Sequence, residues 1–310
     1  MRTPLLMGAP DETLLLMRHF LDVDDLDRAE LLQVLDLAEF PNPLPVLAGQ
    51  GVALLFEKAS LRTRVAMEMA VVQLGGHPIA LRDAEVGVDS REPAEDVARV
   101  LSGYCGALAA RVYSHERLGR LASAARVPVV NLLSDDAHPC QAVADVLTLR
   151  QHFGRLEGLR IAYVGDGNNV CRSLMKAAVL VGASISVATP SGYEPPPLTG
   201  LAAGDAVEIG NDPAAAAKEA DAVYTDVWAS MGQEAEADLR RQAFAGYTVD
   251  ADLMAAAAPH AVFLHCLPAH RGEEVAAEVI DGPQSVVWQQ ATNRVHAHRG
   301  LLLWLLGARP

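Results

Sequence analysis

FEKASLRTR, running from Phe56 to Arg64, stands where the hydrophobic period of this chain changes. Before it, Val52 to Phe56 is a short apolar run that reads as the end of a strand. After it, Val65, Met69 and Val72 recur at helical spacing. Ser60 stands where an N-cap belongs. A helix start of this kind offers backbone N–H groups and the positive end of a dipole, which suits a phosphate. Arg62 and Arg64 add guanidinium forks, and Ser60 and Thr63 add hydroxyls. No GxxxxGK[ST] is present, so such a grip would be built without a P-loop. Taken alone, the segment reads equally well as a capped surface helix with solvated arginines.

Working outward, strands and helices alternate. Leu26 to Glu39 is helical in pattern and ends at Pro41, Pro43 and Pro45. Strands are expected at 52–56, 78–81, 107–112 and 127–131, with a helix over 96–103 and a polar loop over 82–93. His138 to Phe153 reads as one long helix, because Val143, Val146 and Leu149 share a face. A second series follows, with strands at 160–165, 184–188, 222–225, 261–265 and 286–287, and a closing helix from Ala291 to Leu306. Alternation of this kind predicts parallel sheets. The fold expected is α/β, two doubly wound parallel-sheet domains joined by interdomain helices. The first would span 1–137, with helix 291–310 returning to it, and the second 138–290.

Composition bounds the function. Of 310 residues, 51% are apolar, enough for two sizeable cores. The net charge of −14 argues against nucleic-acid or anionic-membrane partners. The first residues lack a signal-type apolar core, and no run approaches the ~18 apolar residues of a membrane span. Cys105, Cys140, Cys171 and Cys266 are widely spaced without a CxxC, so neither a zinc ribbon nor a disulfide framework is indicated. A cytoplasmic chain is expected.

Several short clusters could carry chemistry. His138-Pro139-Cys140-Gln141 opens the long helix, and His138 and Gln141 can face one ligand. Gly165-Asp166-Gly167-Asn168-Asn169 follows a strand but is not GxGxxG, so the dinucleotide signal is weak. Asp226-Val227-Trp228-Ala229-Ser230-Met231-Gly232 and His265-Cys266-Leu267-Pro268 both end strands, the usual edge of a site in an open α/β sheet. A catalytic Cys266 thiolate would need a depressed pKa. His296 and His298 point apart on a helix, which favours solvated positions over a metal site.

In this order, with ARVYSH at 110–115 and NRVHAH at 293–298, the clusters resemble the aspartate/ornithine carbamoyltransferase family, and DVWASMG and HCLP its ornithine branch. The resemblance implies two α/β domains, a site between subunits of a homotrimer, and no metal or cofactor. It implies transfer of a carbamoyl group from carbamoyl phosphate to the δ-amine of L-ornithine, in arginine biosynthesis. Ser60, Leu61 through its backbone, Arg62 and Thr63 would hold the phosphate, Arg111 and His138 the phosphate and carbonyl, and Gln141 the carbamoyl amino group, with Arg294 closing the pocket. Asn169 and the Met231 backbone would hold the ornithine carboxylate, Asp226 and Ser230 its α-amino group. Cys266 and Leu267 would line the approach of the δ-amine. Arg62, Arg111, His138 and Cys266 are the residues implied in catalysis.

Two departures fall on the donor side. Leu61 replaces the first threonine of the family's STRTR. An ungapped match puts Gly87 where the family's loop sends Gln or His into a neighbouring site, and Glu85, the nearest polar residue, would repel a phosphate. They leave open a paralogue acting on a different amine or donor, or a catalytically weak relative serving as a binding or regulatory subunit.

Overall fold

The computed structural model describes residues 17–198, 201, 203–229 and 234–308. Ser230, Met231 and the reading of the first sixteen residues therefore lie outside the described residues. The first sheet comprises β1 (Gly51–Phe56), β2 (His77–Arg82), β3 (Cys105–Arg111) and β4 (Val129–Leu133), all parallel and ordered β2-β1-β3-β4. Around it lie α1 (Arg28–Glu39), α2 (Leu61–Gln73), α3 (Asp83–Val86), α4 (Ala94–Ser102) and α5 (His115–Ala124). Next comes α6 (Pro139–Phe153), leading to a second parallel sheet ordered β7-β6-β5-β8-β9. Its strands are β5 (Arg160–Val164), β6 (Ser184–Ala188), β7 (Val207–Gly210), β8 (Ala222–Thr225) and β9 (Val262–His265). Its helices are α7 (Asn169–Val181), α8 (Pro213–Ala217), α9 (Ala237–Ala243), α10 (Ala251–Ala256) and α11 (Ala277–Ile280), and α12 (Val287–Leu305) closes the chain.

Inner strands such as β1 and β5 are apolar on both faces because both faces are covered, as in a parallel sheet. Ala53 and Leu55 of β1 pack with Val97 and Ala98 of α4 and with Leu118 and Leu121 of α5. Val52 and Leu54 face the other way, into a core shared with α1, α2, α6 and α12. In the second half, Ile161 and Tyr163 join that shared core, while Ala162 and Val164 face a separate one containing Val249, Leu253 and Phe263. The closing helix packs against α1, α2 and α6, so it ties the second sheet back to the first.

Four details differ from the sequence reading. The strand expected at 286–287 is the start of α12; only Ser285 bridges to Phe263 before the chain turns helical. β7 was not foreseen, because VEIG is a largely exposed edge strand with little apolar signal. The 82–93 loop contains the single turn α3. The stripe Val65, Met69 and Val72 is on a helix but faces outward, and the buried stripe is Thr63, Ala66, Met67, Ala70 and Val71. Both stripes have helical spacing, so period alone could not choose between them.

Candidate active site

The C-terminal ends of strands from both sheets open onto one cleft of about 840 Å³, the expected place for a ligand in open α/β sheets. The first sheet contributes residues 58–63 with Arg111 and Leu133. The second contributes 166–170, Asp226, Cys266 and Leu267, and α12 adds Arg294.

Ser60 is the N-cap of α2, extended at φ −161°, and its hydroxyl accepts the Thr63 N–H at 3.3 Å. This fixes the turn so that Arg62 reaches the cleft. Arg64 does not: it pairs with Glu68 at 2.8 Å on the outer face, correcting its expected place in the grip. Thr63 is buried, and its Oγ1 accepts both Arg294 Nη2 at 2.8 Å and Arg111 Nη1 at 3.4 Å. No carboxylate pairs with either guanidinium among the described residues, and the Nε of each is buried without a partner there. Burial, with Arg294 and Arg62 nearby, brings Arg111 down to about 10; burial also lowers Arg294. The guanidinium groups thus concentrate positive charge that the protein itself does not neutralise.

His138 precedes α6, with its backbone N–H held by Ser173 Oγ at 2.9 Å. Its ring is buried in the cleft wall, with Nδ1 unpartnered among the described residues. Burial first, then Arg294 and Arg111, holds its pKa well below the usual value, so the ring is neutral at pH 7. It can offer one N–H to a carbonyl oxygen but is not an acid. Gln141 lies one turn on, fully buried, with Nε2 bonded to Asp145. Leu61 is at the mouth with its side chain 76% exposed. Glu85 is exposed and accepts the Arg82 N–H at 2.8 Å, and Gly87 caps α3 in the left-handed region.

On the opposite wall, Asp226 accepts Asn168 Nδ2 at 2.9 Å and the Cys266 thiol at 3.0 Å. Burial, then Asp226, pushes the Cys266 thiol well up, which excludes a resting thiolate nucleophile. Asn168 also caps α7 through Oδ1, and Asn169 Nδ2 donates to the Ser134 carbonyl at 2.7 Å. Gly167 is where the second glycine of a dinucleotide motif would fall. It serves packing: a Cβ there would lie 2.2 Å from Pro195 N. His265 shapes its loop. Its Nδ1 accepts the Leu267 N–H at 2.9 Å, leaving Nε2–H for Glu274 at 3.2 Å, and Leu267 adopts φ +59°. Asp226, His265 and Cys266 bring ligand atoms within 4.8 Å of one another, but both His265 nitrogens are committed to those bonds. His298 is fully buried and held neutral, down to about 3, chiefly by burial; the solvated position expected for it is wrong.

Other cleft residues escaped the sequence reading. Lys58 pairs with Asp135 at 2.6 Å and lies 4.2 Å above the Tyr113 ring. It stands inside the motif first quoted, so proximity to Ser60 was the available signal. Arg240 reaches Asp166 and the Trp228 carbonyl, each at 2.8 Å, and so anchors the loop after β8. Nothing local in the sequence joins Arg240 to Asp166.

Two family models match the chain in succession: the aspartate/ornithine carbamoyltransferase carbamoyl-P binding domain over 18–151, and the Asp/Orn binding domain over 157–305. The chain belongs to the aspartate/ornithine carbamoyltransferase family. It is 50% identical to an ornithine carbamoyltransferase of Acidothermus cellulolyticus, covering 94% of this chain and 98% of the relative. It is also 50% identical to that of Thermus thermophilus, covering 95% and 99%. The solved ornithine carbamoyltransferase of Pyrococcus furiosus superposes with a TM-score of 0.89 at 45% identity, covering 95% of this chain and 98% of that one. Within this carbamoyltransferase frame, the cation-rich wall falls in the segment matching the carbamoyl-P domain, with Arg294 arriving from the other.

Proposed function

We propose that the chain transfers the carbamoyl group of carbamoyl phosphate to the δ-amine of L-ornithine, forming citrulline and phosphate in arginine biosynthesis. The observation that carries this reading is the pair Arg111 and Arg294, buried, sharing one hydroxyl and lacking a carboxylate among the described residues. A phosphate dianion resolves that imbalance. Ser60, Arg62, Thr63 and the residue 61 backbone hold the phosphate. Arg111, Thr63 and neutral His138 donate to the carbonyl oxygen as negative charge builds there. Gln141 receives the carbamoyl amino group. Asp226 and Ser230 hold the α-amino group, Asn169 and Met231 the α-carboxylate, with Cys266 and Leu267 beside the δ-nitrogen.

The neutral δ-amine attacks the carbamoyl carbon, the bond from that carbon to the phosphate oxygen breaks, and the amine's proton passes to the departing phosphate. Catalysis is positioning and electrostatics. Activity should rise with pH from neutral toward the pKa of the amine.

The working form is a homotrimer. Leu61, Val65, Met69 and Val72 form an exposed apolar stripe along α2, an area that a second copy would cover. The division at 137/138, with α12 returning, is the domain plan proposed. A cytoplasmic setting is supported by four free, buried cysteines, and among the described residues no helix is long and apolar enough to cross a membrane. Exposed Leu61 favours a second reading, a paralogue using another donor or amine. Competition of ornithine, lysine, putrescine and aspartate for labelled carbamoyl phosphate tests the assignment: ornithine should win, because putrescine leaves the carboxylate donors unpaired. A win by putrescine would sink the ornithine assignment.

A further inference from the structure

Behind the cleft wall, α6 and α12 meet through a chain of amides. Gln141 Nε2 donates to Asp145 Oδ1 at 2.8 Å, and Gln290 Nε2 donates to the same oxygen at 2.7 Å. Gln290 Oε1 accepts the backbone N–H of His265 at 2.9 Å. All three side chains are buried, at no more than 1% exposure. Gln141 Oε1 has no partner among the described residues.

With Asp145 Oδ1 as the acceptor, this network fixes the orientation of both amides. A backbone N–H can only donate, so the Gln290 carbonyl must face His265 and its amino end must face Asp145. Asp145 Oδ1 accepts, so Gln141 must turn its amino end toward Asp145 and its carbonyl away. Burial pushes the Asp145 carboxyl up to about 7, against the pull of Gln290, Gln141 and Tyr224, and with the proton of the neutral form on Oδ2 the Oδ1 atom still accepts both N–H groups.

We propose that Asp145 and Gln290 are positioning residues that lock the Gln141 amide so that an acceptor, and never a donor, meets the carbamoyl NH2. The consequence is donor specificity. A carbamoyl group satisfies Gln141 Oε1 with an N–H. An acetyl group offers a methyl and leaves a buried carbonyl unpaired, which is strongly disfavoured. The inference rests on the reading that Gln141 receives the carbamoyl amino group. It adds that the choice is enforced from residues that touch no substrate, and that the same chain of bonds ends beside Cys266.

The test compares Asp145→Leu, Asp145→Asn and Gln141→Leu. The readouts are KM for carbamoyl phosphate, KM for ornithine, and the inhibition constant of acetyl phosphate. Asp145→Leu should raise the carbamoyl phosphate KM about tenfold or more, with a smaller change for ornithine, and should draw the two acyl phosphates together in affinity. Asp145→Asn keeps a carbonyl oxygen that can accept both amides, so it should preserve discrimination. The double variant Gln141→Leu with Asp145→Leu should be no worse than the poorer single one. If Asp145→Leu fails to fold, Gln290→Leu must show the same loss of discrimination. The inference falls if Gln141→Leu loses discrimination while folded Asp145→Leu or Gln290→Leu keeps it, or if Asp145→Asn is as damaging as Asp145→Leu. If Gln141→Leu itself keeps discrimination, the assignment of Gln141 falls and this inference with it.

Discussion

On the wall built by the first sheet and α12, Arg62, Arg111 and Arg294 converge on the cleft, and the latter two have one shared hydroxyl to donate to. On the wall built by the second sheet, Asp226 already accepts from Asn168 and Cys266, and Asn169 already donates to Ser134. One wall carries charge the fold does not balance; the other is closed on itself. Buried guanidinium groups without a counter-ion are costly, and an arriving dianion relieves that cost at once. An amine reaching Asp226 meets a carboxylate that already accepts two neutral donors. Under the proposed assignment, the donor half is therefore ready for its ligand before the acceptor half is.

The strongest way to break this contrast lies within one motif. Arg62→Ala should cut turnover by about a thousandfold, as loss of a charge-assisted contact to the leaving phosphate does, while the thermal midpoint stays near wild type. Arg64→Ala, which removes only the outward pair with Glu68, should change turnover less than threefold, as exposed ion pairs contribute little. Equal effects, measured by steady-state kinetics, would remove the phosphate grip.

Asp226→Asn probes the other wall. It should raise the ornithine KM by roughly thirtyfold or more, the usual cost of removing one member of a buried charge pair, and leave carbamoyl phosphate binding within about threefold. A comparable loss for both substrates would mean that the walls are not separable.

Leu61→Thr sharpens the donor side. A hydroxyl at the mouth should tighten carbamoyl phosphate binding by about tenfold, one hydrogen bond to a charged group. A weaker or unchanged dissociation constant would show that residue 61 serves another ligand.

The last prediction concerns stability, not substrate. His298 has a folded pKa of about 3 against 6.5, so the unfolded chain takes up a proton that the folded chain refuses. Its contribution therefore erodes as pH falls below 6.5. His298→Leu should gain on wild type by about 1.4 kcal/mol per pH unit in that window. Denaturant titrations at pH 7, 6 and 5 measure the difference, and a pH-independent difference would refute the buried neutral imidazole.

Both sheets could be read from the sequence because their inner strands, buried on two faces, are continuous apolar runs, as at Val52 to Phe56. β7 could not, because an exposed edge strand has no such run. The donor motif was local in sequence, so Ser60, Arg62 and Thr63 were legible, yet the direction of Arg64 was not, since helical phase near a cap depends on what α2 packs against. Arg240 with Asp166, and Gln290 with Asp145, were illegible because their partners lie far away along the chain. His298 misled the reading because a polar residue on a helix is ordinarily exposed, whereas α12 is enclosed by α1, α2 and α6.

Calorimetric titration of the unliganded protein with each substrate separately bears on the contrast most directly. Carbamoyl phosphate should bind without any amine present, with an affinity that falls as salt is added and falls further in Arg62→Ala. Ornithine alone should bind far more weakly than it does to protein saturated with the donor. Ornithine binding equally well with and without carbamoyl phosphate, or carbamoyl phosphate binding only after the amine, would contradict a donor wall that is prepared in advance.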